Sequence, residues 1–118
     1  MNTVVPELSI FFPFWNEEDN IERVVTSAIP VAKKLAKKWE ILLIDDGSSD
    51  NTVKIADSLA KQHPNIRVIP HSPNRGYGAA LKSGFTNAQY DYVVFTDGDG
   101  QFDFSEVKYS DSLKNNDF

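Results

Sequence analysis

Apolar residues fall into short continuous runs, separated by stretches where they recur at helical spacing. Leu8-Ser-Ile-Phe-Phe12 is such a run, stopped by Pro13, and it reads as a buried strand. Asn16-Glu-Glu-Asp19 then offers a capping Asn and acids suited to the positive end of a helix. Ile21, Val24, Val25, Ala28 and Ile29 follow at helical spacing, and Pro30 is expected to kink or interrupt that helix. Ala32, Leu35 and Ala36 resume the apolar face, with Lys33, Lys34, Lys37 and Lys38 as its solvated side. Glu40-Ile-Leu-Leu-Ile44, Ile66-Arg-Val-Ile69 and Tyr92-Val-Val-Phe95 predict three more strands. A helix is expected over 51–62 with Val53, Ala56, Leu59 and Ala60 inward, capped from Ser48, Ser49 and Asp50. Another is expected from Ala79 to Ala88 on Ala80, Leu81 and Phe85, after a loop at Pro73–Gly78. A last one is expected from Ser105 to Leu113.

Strands that are apolar throughout and alternate with helices imply an α/β fold: a mainly parallel sheet with helices on both faces. The 118 residues suffice for one domain or part of one. Because the last expected helix has no closing strand after it, residues 1–118 read as the N-terminal part of a longer domain. Composition narrows the class. With 41% hydrophobic and 25% charged residues the chain is neither a disordered tail nor a membrane span. Twelve basic residues against 17 acidic, net −5, argue against nucleic acid as a partner. The absence of Cys removes disulfides, thiolate catalysis and Cys-ligated metals, and fits a cytoplasmic setting. The first seven residues, MNTVVPE, lack the character of a signal peptide.

In an open parallel sheet, ligands bind beyond the carboxyl ends of the strands. Three of the expected strand ends carry chemistry: Pro13-Phe-Trp15-Asn-Glu17, Asp45-Asp46-Gly47-Ser48, and Asp97-Gly98-Asp99-Gly100-Gln101. Five acids are thereby expected to converge on one rim. Asp97 and Asp99 flank a glycine, so a bend there aims both at one ion, and Gln101 adds a neutral oxygen. An all-oxygen set suits Mg2+ or Mn2+, which also bind substrate phosphates. The competing reading of each motif alone is structural: acids and glycines of turns, a core aromatic at Trp15, a helix-start acid at Glu17.

Other chemistries fail in detail. Gly76-Tyr-Gly78 is followed by Leu81 where a dinucleotide fingerprint needs glycine. The position where a calcium loop needs Glu is Lys108. His63 and His71 have no metal-ligand spacing and are expected to be exposed, and no Ser–His–acid set is suggested.

The ordered set resembles the family 2 glycosyltransferases of the GT-A fold, a Rossmann-like nucleotide-diphospho-sugar transferase fold. The residues that carry it are Pro13-x-Trp15-Asn16-Glu17, Asp45-Asp46-Gly47-Ser48-x-Asp50-x-Thr52, Asn74-x-Gly76-x-Gly78-x-Ala80 and the DXD motif Asp97-x-Asp99-x-Gln101. Within the family the chain is most similar to dolichyl-phosphate or polyprenyl-phosphate mannose and glucose synthases, from Leu8 to Val107. The resemblance implies metal-dependent transfer of mannose or glucose from GDP-mannose or UDP-glucose to an acceptor, polyprenyl phosphate, with inversion. By position it implies that Pro13, Trp15 and Glu17 line the nucleotide pocket, that Asp46 contacts the base with Asp45 supporting its loop, and that the Ile44 backbone flanks the base. Asp97 and Gly98 would face the ribose or sugar-diphosphate, and Asp99 and Gln101, with Asp97, would hold the metal. The Asn74–Gly78 loop would border the sugar, with Arg75 as a phosphate partner. Asp97 and Asp99 are thus the catalytic candidates, and the setting implied is the cytoplasmic face of a membrane. Two residues depart from the pattern: Trp15 stands where the family usually has Tyr, and Gly100 where it often has a larger residue.

Three alternatives remain at this level. A haloacid-dehalogenase-like phosphatase would use Asp97 as nucleophile and Asp99 as acid, but Gln101 and the position after the fourth strand disagree. A truncated, non-catalytic module would bind nucleotide sugar without turnover. A receiver domain would need its acidic pair after the first strand rather than the second.

Overall fold

The computed structural model describes residues 5–71 and 75–95, and the backbone of residues 108 and 109. Five strands, β1 (Val5–Phe14), β2 (Ala36–Asp46), β3 (Ile66–His71), β4 (Tyr92–Phe95) and β5 (Lys108–Tyr109), form one sheet in the order β3-β2-β1-β4-β5. The first four are parallel, and β5 runs antiparallel to β4. Helices α1 (Ile21–Leu35), α2 (Thr52–Gln62) and α3 (Tyr77–Asn87) connect the parallel strands.

Alternation along each strand divides the core in two. Leu8, Ile10, Phe12, Phe14, Ile41, Leu43 and Val94 meet the apolar stripe of α1 (Ile21, Val24, Val25, Ala28, Ala32) and Ala56 and Leu59 of α2. Phe11, Leu42, Ile44 and Val93 face the other way, onto Ala80 and Phe85 of α3 and Ala88 just beyond it. Helices therefore cover both faces, as the continuous apolar runs require.

Several expectations are corrected. Asn16–Asp19 does not begin α1, which starts at Ile21. The helix runs on through Pro30 to Leu35. Pro30 is exposed, and so is Thr26, whose carbonyl the proline leaves without an N–H, so water can serve it. Ala36–Lys38 belong to β2 rather than to the helix. Pairing of Val5 with Ala36 and Glu7 with Lys38 outweighs the weak helix preference of these residues. All four lysines of the expected helical face are exposed, but two of them lie on a strand. Pro13 does not stop β1; it lies past Phe11↔Phe95, the last pair with β4, where a ladder on that side is no longer needed. The helix expected over 105–113 is replaced at Lys108–Tyr109 by β5, and the rest of that span lies outside the described residues.

Glu40 is buried on the α3 face. Its Oε2 accepts from the Ser9 hydroxyl (2.7 Å) and the Gln89 N–H (2.6 Å), and its Oε1 accepts from Arg67 (2.9 Å). One carboxylate thus ties β1, β2, β3 and the entry to β4.

Candidate nucleotide cleft at the carboxyl edge

The strand order brings the ends of β1, β2 and β3 to one rim, and β4 delivers the chain to the same rim at Phe95. A cleft of about 260 Å³ opens there, lined by Pro13, Phe14, Trp15, Asp46, Gly76, Tyr77 and Ala80. Trp15 is 57% exposed and Tyr77 53% exposed. The reading of Trp15 as a core aromatic is therefore corrected. Tyr77 was not singled out by sequence reasoning, although an aromatic between two glycines was the available signal.

Residues 45 and 46 are consecutive on a strand, so their side chains point to opposite faces. Asp45 turns toward the α1/α2 side, where its Oδ2 accepts weakly from the Ser48 N–H (3.4 Å). Its Oδ1 is buried without a hydrogen-bond partner among the described residues. Asp46 turns toward α3 and the cleft, 5% exposed. Its Oδ1 accepts from the Arg75 N–H (2.9 Å) and lies 3.2 Å from His71 Nδ1, while its Oδ2 accepts from the Gly76 N–H (3.0 Å). Of the five acids expected on one rim, Asp97 and Asp99 lie outside the described residues; among the described residues no three His, Cys, Asp or Glu side chains gather in a way that could hold a metal.

His71 is buried at 4% exposure, which corrects the expectation of an exposed histidine. Its Nε2 lies 2.6 Å from the Ser83 hydroxyl, so an acid, a histidine and a serine do come together, contrary to expectation. His63 is half-buried at the end of α2.

The wall carrying Trp15 is fastened to the loop after β2. The Asn16 N–H donates to Ser48 Oγ (2.9 Å), and Asn16 Oδ1 accepts from the Ser49 N–H (2.8 Å). The Glu17 N–H donates to Thr52 Oγ1 (2.9 Å), and Glu18 Oε2 accepts from the Asn51 N–H (3.2 Å). Asn16 reaches these bonds in a left-handed conformation, φ 51°, which Asn tolerates better than most residues. Asp50 caps α2 by accepting from the Thr52 N–H (2.9 Å) and the Thr52 hydroxyl. Desolvation pushes the Asp50 carboxyl up. The Thr52 hydroxyl and the N–H groups of Thr52, Glu18 and Asp50 itself outweigh it and hold the pKa below its ordinary 3.8.

Of the site residues read from sequence, Pro13, Trp15 and Asp46 meet in the cleft. Glu17 is not in its lining; its carboxylate accepts from Asn20 (3.1 Å) at the start of α1. The Ile44 side chain is buried under α3. Asn74, Asp97, Gly98, Asp99, Gly100 and Gln101 lie outside the described residues.

A parallel sheet flanked by helices, with its cleft at the carboxyl edge, defines a Rossmann-like α/β protein. Among solved structures, the mannosyltransferase PcManGT from Pyrobaculum calidifontis, in complex with GDP-Man and Mn2+, matches with a TM-score of 0.69. It is 26% identical, over 81% of this chain and 30% of that one. The fold is thus that of the GT-A glycosyltransferases. The model of the family "Glycosyl transferase family 2" matches residues 9–109, and the chain belongs to that family. The dolichyl-phosphate beta-glucosyltransferase of Saccharomyces cerevisiae is 37% identical over 107 residues, covering 86% of this chain and 32% of that protein. The undecaprenyl-phosphate 4-deoxy-4-formamido-L-arabinose transferase of Proteus mirabilis is 35% identical over 99 residues, covering 82% and 30%. The chain spans about a third of the length of these curated relatives. No helix among the described residues is long and apolar enough to cross a membrane.

Proposed function

We propose that the chain is the donor-binding, N-terminal part of a glycosyltransferase that moves mannose or glucose from a nucleotide-diphosphate sugar to polyprenyl phosphate. The observation that carries this reading is the cleft itself, where two exposed aromatics and a fixed carboxylate share one small space at the carboxyl edge. Trp15 and Tyr77 offer flat apolar faces for a nucleobase. Asp46 is an acceptor-only group suited to a ring N–H, which both uracil and guanine present. α3 begins at the cleft, and its N-terminal end favours the negative charge of a diphosphate.

Asp97, Asp99 and Gln101 would hold the divalent ion, Mg2+ or Mn2+. Their all-oxygen chemistry fits it, and the described carboxylates, turned to opposite faces or engaged by backbone, leave that task to them. When bound, the ion neutralises the charge of the departing diphosphate. In the transfer a phosphate oxygen of the acceptor forms the new bond to the anomeric carbon as the bond to the diphosphate breaks. Attack from the opposite face inverts that centre. An acceptor that is already anionic needs little help from a base. The relatives' lipid-phosphate names support this acceptor; the setting that goes with this reading is the cytoplasmic face of a membrane.

The test is a calorimetric titration of the chain with GDP-mannose and UDP-glucose, with and without Mn2+, alongside Asp99→Asn. The expected result is metal-dependent binding of one donor, lost in the variant. Metal-dependent binding that Asp99→Asn leaves unchanged would refute the assignment of the metal to this motif.

A further inference from the structure

We infer that His71, braced by Ser83, is a positioning residue that sets the orientation of the Asp46 carboxylate in the nucleotide cleft. This rests on the donor-site reading above. The register of β2 and β3 places Asp46 and His71 as direct partners, and both side chains lie on the α3 face. His71 Nδ1 lies 3.2 Å from Asp46 Oδ1, and Nε2 lies 2.6 Å from Ser83 Oγ on α3. The chemistry fixes the direction of these bonds. An ionised carboxylate only accepts, so Nδ1 carries the proton and donates. In the neutral ring Nε2 then accepts, and the Ser83 hydroxyl donates to it.

The relay runs toward the acid. Ser83 lies inside α3, where backbone N–H groups are engaged in helix bonds, so an oxyanion hole is not at hand for a serine nucleophile. Asp46 is the member that lines the cleft, and the same carboxylate anchors the N–H groups of Arg75 and Gly76. His71 thus acts on the ligand only through Asp46. It constrains the Oδ1 side of the carboxylate that lines the cleft. Without the imidazole Oδ1 loses one of its donors, and the Arg75 and Gly76 N–H groups are left to set the acceptor direction presented to a ligand.

Two measurements on the full chain test this. The first is titration with UDP and GDP, with Mn2+, of the wild type, His71→Leu, His71→Asn and Ser83→Ala, each checked for cooperative unfolding. Asn can place an amide N–H where Nδ1–H stood. Expected is a loss of affinity of about tenfold in His71→Leu, the scale of a hydrogen bond to a charged group, and recovery to within about threefold of wild type in His71→Asn. Ser83→Ala, which leaves Asp46 and the imidazole in place, should lose affinity by a smaller factor and carries the test if His71→Leu does not fold. The second is the imidazole 15N shift pattern of the wild type, expected to show protonated Nδ1 and unprotonated Nε2. Wild-type affinity in folded His71→Leu, or in Ser83→Ala, overturns the positioning role. So does a ring protonated at Nε2 alone, because Nδ1 then has no proton to donate to Asp46; a ring protonated at both nitrogens keeps that donation and upholds the role. A folded wild type that binds neither nucleotide overturns the donor-site reading, and the positioning role falls with it.

Discussion

Gly84 is where α3 comes closest to the sheet, and adding a single methyl there probes how rigidly the helix is held. A Cβ at Gly84 would lie 2.2 Å from Phe11 Cδ1, 2.3 Å from Cε1 and 2.5 Å from Cγ. Ordinary carbon contacts begin near about 3.5 Å, so ring and helix must separate by more than about 1 Å. The ring cannot yield cheaply. Phe11 is fully buried at the centre of β1, edge-on to Phe85 at 5.1 Å and stacked on Phe95 at 5.4 Å. α3 must therefore lift. Alanine gains about 1 kcal/mol over glycine in helix propensity. Overpacking of a rigid contact costs about 3 kcal/mol, the upper part of its usual range. The net expectation for Gly84→Ala is a loss of about 2 kcal/mol, or a Tm lower by roughly 6–12 °C. Urea unfolding should show a lower midpoint at unchanged slope. Ala80, one turn earlier on α3, lines the cleft, so nucleotide affinity should fall as well. A Gly84→Ala chain as stable as the wild type would refute the close approach of α3 to Phe11.

Two further outcomes follow from local structure. Pro30→Ala should stabilise the chain by about 1–3 kcal/mol in thermal unfolding, because an unbroken helix already surrounds the site and regains a hydrogen bond; a loss of stability would mean that the proline ring itself supports α1. Asp50, held below its ordinary pKa, contributes stability that is fully present above about 3.8 and is lost as pH falls through the lowered value. The Tm gap between wild type and Asp50→Asn should accordingly be constant near neutrality and shrink below about pH 4, and a gap independent of pH would exclude the charged cap.

β1 and β2 were legible because they are largely buried on both faces and read as nearly continuous apolar runs; the edge strand β3 and the short β4 were legible from the apolar residues of Ile66-Arg-Val-Ile69 and Tyr92-Val-Val-Phe95. Tyr92–Phe95 matches its expected limits at both ends. What escaped was set by partners distant in sequence. Ala36–Lys38 is helix-compatible alone and becomes strand only beside Val5 and Glu7. Glu40 looks like a solvated strand end until Ser9, Arg67 and Gln89 surround it. His71 carries no signal in its own neighbourhood, because its burial follows from the β2–β3 register and from Ser83 on a helix that comes later. Asp50 was visible as a capping residue, whereas Asn16, which reads as one, caps no helix. That they, with Ser48, Glu18 and Thr52, bridge two loops could be known only once β1 and β2 were adjacent. Within the site, Pro13, Trp15 and Asp46 were identified by motif, and Tyr77 emerged from the cleft itself.

The opposite orientations of Asp45 and Asp46 bear on how the Asp-Asp dipeptide is to be understood. Adjacent letters here belong to separate halves of the molecule, divided by the thickness of the sheet. The dipeptide is thus no two-toothed clamp, and substitutions at its two positions are independent experiments. The strand's parity decides which carboxylate a ligand meets. A one-residue insertion between Trp39 and Asp45 that leaves the earlier pairing intact would carry Asp45 to the cleft face and move Asp46 past the strand's end. Transplanting the cleft to another sheet therefore means transplanting odd and even positions correctly, before any question of which residues to copy.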